Sequence, residues 1–359
     1  MQTRQTLEQN RQQIEEVQQQ PSVAKIGGFP WSYLPTINRD AWLNKIRDLR
    51  YPEEDLASWI EFNKVADEIA AKHIDAHVYR VLDSFTADGG ADAIVLDNLP
   101  VDPKLGPTPI DGNRPPQKKA VSELVMAGLI RRMKRQIISY RQEKEGAPFQ
   151  QLVPIVGEEA KQSNTGRAKF GYHTDNANFP SRFRQEGLAL FGLRNEKDIA
   201  TIIITLDQIK EGVPAEIISK LRFPIYVFPN PLSFNLGGWS TLSEPRPIIR
   251  TDDNGIDRIA LPRSEFEQPN IEANDTIKEF RNALDQLVPH RVVLSPGRFL
   301  AFKDSRVLHG RDTVLGDRWI ERVYFSASLD QHRRATKSDP RWVRLGDDAL
   351  RDHSYIIYV

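Results

Sequence analysis

Lys169-Phe170-Gly171-Tyr172-His173-Thr174-Asp175 and, far downstream, Phe299-Leu300-Ala301-Phe302-Lys303-Asp304-Ser305-Arg306-Val307-Leu308-His309-Gly310-Arg311 are the stretches whose reading decides the fold. Both have the texture of strands ending at turns. Side chains i and i+2 of a strand point to one face, so His173 and Asp175 can reach a single ion. A third donor must come from a distant strand folded back beside the first, and His309 closes such a run. Two imidazoles and one carboxylate on a β-scaffold leave half of an octahedron open.

Outward from these runs, the chain after Gly146-Ala147-Pro148 is a series of short strand candidates separated by turns. They are 152–156, 169–173, 188–193, 201–205, 225–228, 246–250, 258–261, 291–294, 298–302 and 320–329, with a helix at 276–287 among them. Short strands at regular intervals argue for a sandwich or barrel. Upstream the pattern is helical: Trp42, Ile46, Leu49, Leu56, Trp59, Ile60, Phe62, Val65 and Ile69 recur mostly at three- and four-residue steps. A short buried strand at 94–100, a Pro- and Gly-rich loop to Pro116 and a helix over 121–140 come next. Residues 1–21, rich in Gln and Glu and closed by Pro21, read as a polar arm or helix. The expectation is one domain over 22–359: a helical part to about 147, a core at about 148–330, and a C-terminal extension. Helices first and strands afterwards, with ligands on distant strands, predict an α+β fold, mainly β, with a double-stranded β-helix (jelly roll) flanked by helices.

The chain has 49 basic and 49 acidic residues and no Cys. Zero net charge gives no footprint for nucleic acid or an anionic membrane. The missing thiols remove disulfides, thiolate nucleophiles and Cys-based metal sites. With no signal-like apolar core after Met1 and no long apolar run, the expectation is a soluble cytoplasmic protein. Nothing in the sequence fixes the oligomeric state.

His73-Ile74-Asp75 repeats the His-x-Asp spacing, but good helix formers precede it, and on a helix i and i+2 diverge by about 200°. It is read as a solvated helix face. His290, His332 and His353 have no carboxylate at ligand spacing. Beyond His309 lies Gly316-Asp317-Arg318-Trp319-Ile320-Glu321-Arg322-Val323-Tyr324, a strand bearing two Arg on one face, roughly 13 Å apart along it. If that face lines an interior, each guanidinium must neutralise something, and a bidentate grip on a carboxylate is what Arg does best.

In this ordered set the chain resembles the Fe(II)/2-oxoglutarate-dependent oxygenases, specifically the clavaminate synthase-like group with the free-asparagine and free-arginine hydroxylases, related to taurine dioxygenase. The resemblance runs from about Ile94 to Leu329. It includes the 101–109 loop, His173-Thr174-Asp175, Leu190-Phe191-Gly192-Leu193-Arg194-Asn195, Pro296-Gly297-Arg298, Asp304–Arg311 and Arg318–Arg322. It implies His173, Asp175 and His309 as Fe(II) ligands, Arg318 and Thr201 as the partners of 2-oxoglutarate, and Arg322 as the residue that meets an acidic group of the substrate. Dioxygen is the co-reactant the resemblance implies. Amino-acid hydroxylases of the group often carry Glu at the position of Asp175, and the His309–Arg318 segment here is several residues shorter than is usual for them.

The resemblance thus implies a dioxygenase hydroxylating an unactivated C–H of a small carboxylate-bearing molecule, most simply a free amino acid or a derivative. A carboxylate as second ligand favours hydroxylation, desaturation or cyclisation over halogenation, which needs that position vacant. The alternatives are a carrier- or peptide-bound substrate, a desaturase or cyclase of the same class, or a jelly-roll binding protein without redox activity.

Overall fold

The computed structural model describes residues 24–229, 241–330, 342–345 and 356–358, apart from 54, 88, 182, 264 and 265. The polar segment 1–21, His332 and His353 lie outside these. The chain forms a hairpin, β1 (Lys25–Ile26) and β2 (Phe29–Tyr33), then helices Thr36–Ile46, Leu56–His73 and Ala76–Thr86, and the buried strand β3 (Ala93–Asp97). Helix Val121–Arg132 leads to β4 (Gln136–Tyr140), β5 (Phe149–Leu152), β6 (Phe170–His173), β7 (Gly187–Asn195) and β8 (Ala200–Thr205). After two short helices come β9 (Thr241–Ser243), β10 (Ile249–Thr251), β11 (Asp257–Ile259) and helix Ile271–Leu284. The remaining strands are β12 (His290–Val293), β13 (Phe299–Lys303), β14 (Val307–Arg311), β15 (Arg318–Ser326), β16 (Trp342–Leu345) and β17 (Ile356–Tyr358).

Nine strands form one mixed sheet in the order β1-β2-β3-β13-β7-β15-β4-β16, with β5 also on β15; β12-β8-β14-β6 form a second sheet, and β10-β11 and β17-β9 form ribbons. The α+β class holds, but the jelly-roll expectation does not. Among the described residues the sheets are separate and open, no strand is shared between them, and none closes or curls into a double-stranded β-helix. Part of the difference lies in strands placed in helical or terminal sequence: β2 joins β3 in parallel and β16 joins β4 in parallel, extending an open sheet at both ends.

The core is layered by the two-residue period of the strands. Trp319, Val323 and Phe325 of β15 pack with helix residues such as Trp59, Val125 and Leu129. Ile320 and Tyr324 of the same strand pack with Ile203, Val292 and Val307 of the four-stranded sheet. The outer side of that sheet, with Ile202, Ile204 and Leu308, meets Phe280 and Leu284 of helix Ile271–Leu284. The space between the sheets therefore receives Arg318 and Arg322, which alternate with the helix-facing residues. Two local expectations change. The helix over 121–140 ends at Arg132, because Lys134 takes φ 57° and β-branched Ile137 and Ile138 enter a sheet as β4. The 225–228 strand reduces to one bridge, Tyr226 with Arg246.

Candidate active site

Strand β14 lies between β8 and β6, and His309 sits opposite both Ile203 and His173. Gly310 makes that approach possible: a Cβ there would stand 2.6 Å from the Phe170 carbonyl oxygen. His173 and His309 thus face each other with ring centroids 4.3 Å apart. Asp175 follows β6 and brings Oδ1 to 3.5 Å from His173 Nε2 and 3.7 Å from His309 Nε2. One donor atom from each of the three residues lies within 4.8 Å of the others.

The protonation pattern suits a cation. His173 Nδ1 donates to the Gly171 carbonyl at 2.8 Å, which leaves Nε2 as the nitrogen turned toward Asp175. Burial and the neighbouring His173 push His309 down to about 3, which keeps it neutral and able to ligate. Burial would raise Asp175, but Arg322 and the two imidazoles outweigh it and hold the carboxyl well below the usual range. Two imidazoles and an ionised carboxylate form a donor set fit for a six-coordinate divalent metal.

Behind the donors are two supporting groups. Asp304, fully buried, accepts from the Asp175 backbone N–H at 3.2 Å, from Gln185 at 2.9 Å and from Arg184 at 3.0 Å. Its Oδ1 lies 3.5 Å from His309 Nδ1, and burial, only partly offset by Arg184, pushes its pKa up to about 6. On the other side Asp175 Oδ2 accepts from Arg322 Nη1 at 2.8 Å and from the Tyr324 hydroxyl at 3.0 Å, which leaves Oδ1 for a metal. Arg322 Nη2 also donates to Glu143 Oε1 at 2.7 Å and to Gln150 Oε1. Glu143 is turned inward by a tight turn in which Lys144 and Glu145, neither of them Gly, take φ 49° and 56°.

His173, Asp175 and Arg322 form the wall between two cavities. One is lined also by Thr201, His309, Arg311, Arg318 and the apolar Leu188 and Leu190. Arg318 is buried in it, has no ion pair among the described residues, and its Nε has no partner. Burial, with Arg311 nearby, pulls its pKa down to about 9. A guanidinium this isolated marks a site for an anion. The second cavity is lined by Glu143, Asn164, Thr174, Asn176, Arg263 and Tyr324, with Ala177, Pro229 and Pro262 among its smaller residues.

Each expected site residue is therefore on one of these walls: the three donors together, Thr201 and Arg318 in the first cavity, and Arg322 between the two. Arg322 donates to Asp175 and to Glu143. The competing His-x-Asp does separate, but because the helix breaks between the two residues and not because they share one solvated helix. His73 ends one helix, with Nδ1 2.7 Å from the Ile69 carbonyl, while Asp75 caps the next through the His77 and Val78 N–H groups. Glu143, Gln150, Asp304, Tyr324 and Arg263 are not singled out by the sequence. Tyr324 has a signal, two residues beyond Arg322 on the same strand face; Glu143 and Gln150 have none.

No family model matches the chain. It is 30% identical over 308 residues to the L-asparagine oxygenase of Streptomyces coelicolor, covering 79% of this chain and 85% of the relative. It is 24% identical over 296 residues to the L-lysine 3-hydroxylase of Catenulispora acidiphila, covering 77% of this chain and 79% of that one. Among solved structures, asparagine oxygenase in complex with Fe(II), 2S,3S-3-hydroxyasparagine and succinate superposes with a TM-score of 0.74 at 23% identity, covering 88% of this chain and 99% of the other. The folds are alike.

Proposed function

Because the chain belongs to the Fe(II)/2-oxoglutarate-dependent oxygenases of the clavaminate synthase-like group, and so is a dioxygenase that uses both cofactors to hydroxylate a C–H bond, we propose a specific role for each site residue and a free amino acid as the substrate. His173, Asp175 and His309 hold the iron. Arg318 and Thr201 receive the far carboxylate of 2-oxoglutarate in the first cavity. Arg322 and Glu143 orient an α-amino acid in the second, the first meeting its carboxylate and the second its ammonium. When bound, iron and 2-oxoglutarate supply the activation of dioxygen, with release of succinate and carbon dioxide.

The chain's own part is binding and orientation. The Arg322 and Tyr324 bonds occupy Asp175 Oδ2, so that Oδ1 would be the oxygen to hold a metal. The Gly171 carbonyl fixes the His173 tautomer. Leu188 and Leu190 exclude water around Arg318, where a charge-assisted pair is strongest. Three of the five N–H donors of Arg322 are committed to Asp175, Glu143 and Gln150. Its Nε–H, buried without a partner, remains for a carboxylate.

The observation that supports the reading best is the juxtaposition of a carboxylate and a guanidinium, Glu143 and Arg322, on the wall of a cavity also lined by His173 and Asp175. That charge pair matches the two ends of a zwitterion. The test is a screen of free amino acids with Fe(II) and 2-oxoglutarate, reading succinate and a product mass increased by one oxygen. The free acid should turn over, and its ester or amide at the α-carboxylate should lose most of the activity. Efficient oxidation of carrier-thioester substrates with all free amino acids inert would overturn the proposal.

A further inference from the structure

Arg311 and Arg318 both line the first cavity, and they are held differently. Arg318 has no ion pair among the described residues, and its Nε has no partner. Arg311, two residues beyond His309 on β14, spends its donors on the backbone. Its Nη2 donates to the Ser163 and Gly166 carbonyls, both at 2.8 Å. Its Nη1 donates to the Asp312 carbonyl at 3.0 Å and to the Arg167 carbonyl at 3.4 Å. Burial lowers its pKa to about 10, so at neutral pH it is a cation whose charge is taken up by carbonyl dipoles.

The carbonyls of Ser163, Gly166 and Arg167 belong to one loop, residues 155–168. The loop is closed on itself: the Arg167 and Ala168 N–H groups donate to the Glu159 carbonyl at 2.8 and 3.1 Å, and the Ile155 N–H to the Thr165 carbonyl at 2.8 Å. Gly166 is required by the tight fit, because a Cβ there would collide with the Lys161 carbonyl oxygen. None of residues 155–168 is in the hydrophobic core, and Val156 is 74% exposed. Polar anchors therefore set where the loop sits, and they come from β14 and the chain just after it: Arg311, and the Val314 N–H to the Arg167 carbonyl at 2.8 Å. What they hold matters for the site, since Asn164 lines both cavities and Ser163 lines the second.

We propose that Arg311 is a positioning residue: from the strand that carries His309 it holds the 155–168 loop in place as a wall of the second cavity. It grips neither 2-oxoglutarate nor the amino acid, although it borders the cavity of the first. The fan of carbonyls suits a guanidinium, whose N–H groups diverge in one plane. The inference rests on the proposal that the second cavity takes a free amino acid.

Two variants of the full chain attack the contact from its two sides. Arg311→Met removes every donor, and Gly166→Ala disturbs the loop at a residue on neither cavity's wall among the described residues, which keeps the test readable if the first variant does not fold. Both proteins should show faster amide hydrogen exchange over 155–168 than the parent, read by mass spectrometry without metal or cosubstrate. With Fe(II), 2-oxoglutarate and the free amino acid that turns over best, kcat/KM for the amino acid should fall by about tenfold to a hundredfold, the scale of a small misplacement of substrate. More succinate should form per hydroxylated product, because the cosubstrate still binds while the C–H bond is misaligned, and the KM for 2-oxoglutarate should not move. A raised KM for 2-oxoglutarate in Arg311→Met with unchanged exchange of the loop would make Arg311 a second partner of that carboxylate and refute the inference. Unchanged kcat/KM for the amino acid in both proteins would refute it as well. Should every free amino acid be inert while the loop exchanges faster, the free-amino-acid reading fails and the hold of Arg311 on the cavity wall stands.

Discussion

The two ends of β15 carry the same residue into the same inter-sheet space and treat it in opposite ways. At one end Arg322 is surrounded by Asp175, Glu143, Gln150 and the Tyr324 ring, whose centroid is 4.5 Å from the guanidinium carbon. At the other, Arg318 is equally buried but shares its cavity with Arg311 and apolar Leu188 and Leu190, and it makes no ion pair among the described residues. Buried charges persist only when paired. Arg322 is paired inside the protein and thus supports the metal donors. In the proposed reading Arg318 is completed from outside, by the far carboxylate of 2-oxoglutarate. A buried charge without a partner says more about a ligand than a buried charge with one.

The largest effect should come from Asp175, the proposed metal donor that is bonded to Arg322. Asp175→Ala should abolish turnover and metal retention, assayed by iron content after gel filtration and by succinate formation. It removes a donor and also strips Arg322 of one of its two carboxylates. A fully active Asp175→Ala protein would dissolve the proposed donor set, and the comparison would lose its centre.

Next in size is the contrast between the arginines themselves. Arg322→Ala leaves Asp175 and Glu143 facing each other, and breaking such a buried pair should destabilise the protein by about 3–5 kcal/mol in urea melts. Arg318→Met removes an uncompensated charge, so without 2-oxoglutarate its stability should equal or exceed that of the parent. Its KM for 2-oxoglutarate should rise by about tenfold to a hundredfold, the worth of a charged hydrogen bond of about 1.5–3 kcal/mol. Equal destabilisation by both substitutions would show that the two ends are not different in kind.

How much of this is legible in the sequence depends on whether a residue's role is written in local periodicity. His173 and His309 can be read because an antiparallel neighbour must supply the third donor, and Asp175 because it lies only two residues beyond His173, although it falls past the end of β6 and not on the strand. The pair Arg318 and Arg322 can be read because the strand period puts both on one face, but not their difference. That depends on Glu143, brought in by a left-handed turn at Lys144 and Glu145, and on Gln150 of β5, which sits opposite Arg322 only through long-range pairing. The jelly roll fails at the same level. Alternation identifies strands and their buried faces but does not say whether sheets close, and here β2, β4 and β16 extend one of them as an open sheet. Helix-like spacing also runs on through Ile137 and Ile138, because a buried strand with few polar residues carries no period of its own.

A smaller effect sharpens the Arg322 end. Tyr324→Phe removes the second bond to Asp175 Oδ2 while keeping the ring under Arg322. Groups that orient metal-bound carboxylates and imidazoles are typically worth about tenfold or more in metal affinity. Because Arg322 still holds Oδ2, the loss should stay near the lower bound, about tenfold in Co(II) affinity, with the KM for 2-oxoglutarate unchanged. A shift in that KM instead would mean that Tyr324 belongs to the other cavity's chemistry.

The smallest effect belongs to the Arg318 end. Thr201 lies on β8 opposite Arg311 and Val292, buried, and lines the cavity that holds Arg318. Thr201→Val keeps the β-branched shape that suits the strand and exchanges only a hydroxyl for a methyl, so packing should survive. If the hydroxyl donates to the 2-oxoglutarate carboxylate beside Arg318, its loss should cost about 0.5–1.5 kcal/mol, a few-fold to about tenfold in KM. The effect should be less than additive with Arg318→Met, since the two donors act on one carboxylate and removal of the charge weakens what remains. Metal affinity and melting temperature should not move. Strict additivity in the double variant would place Thr201 and Arg318 on different groups, and the first cavity would then need another occupant.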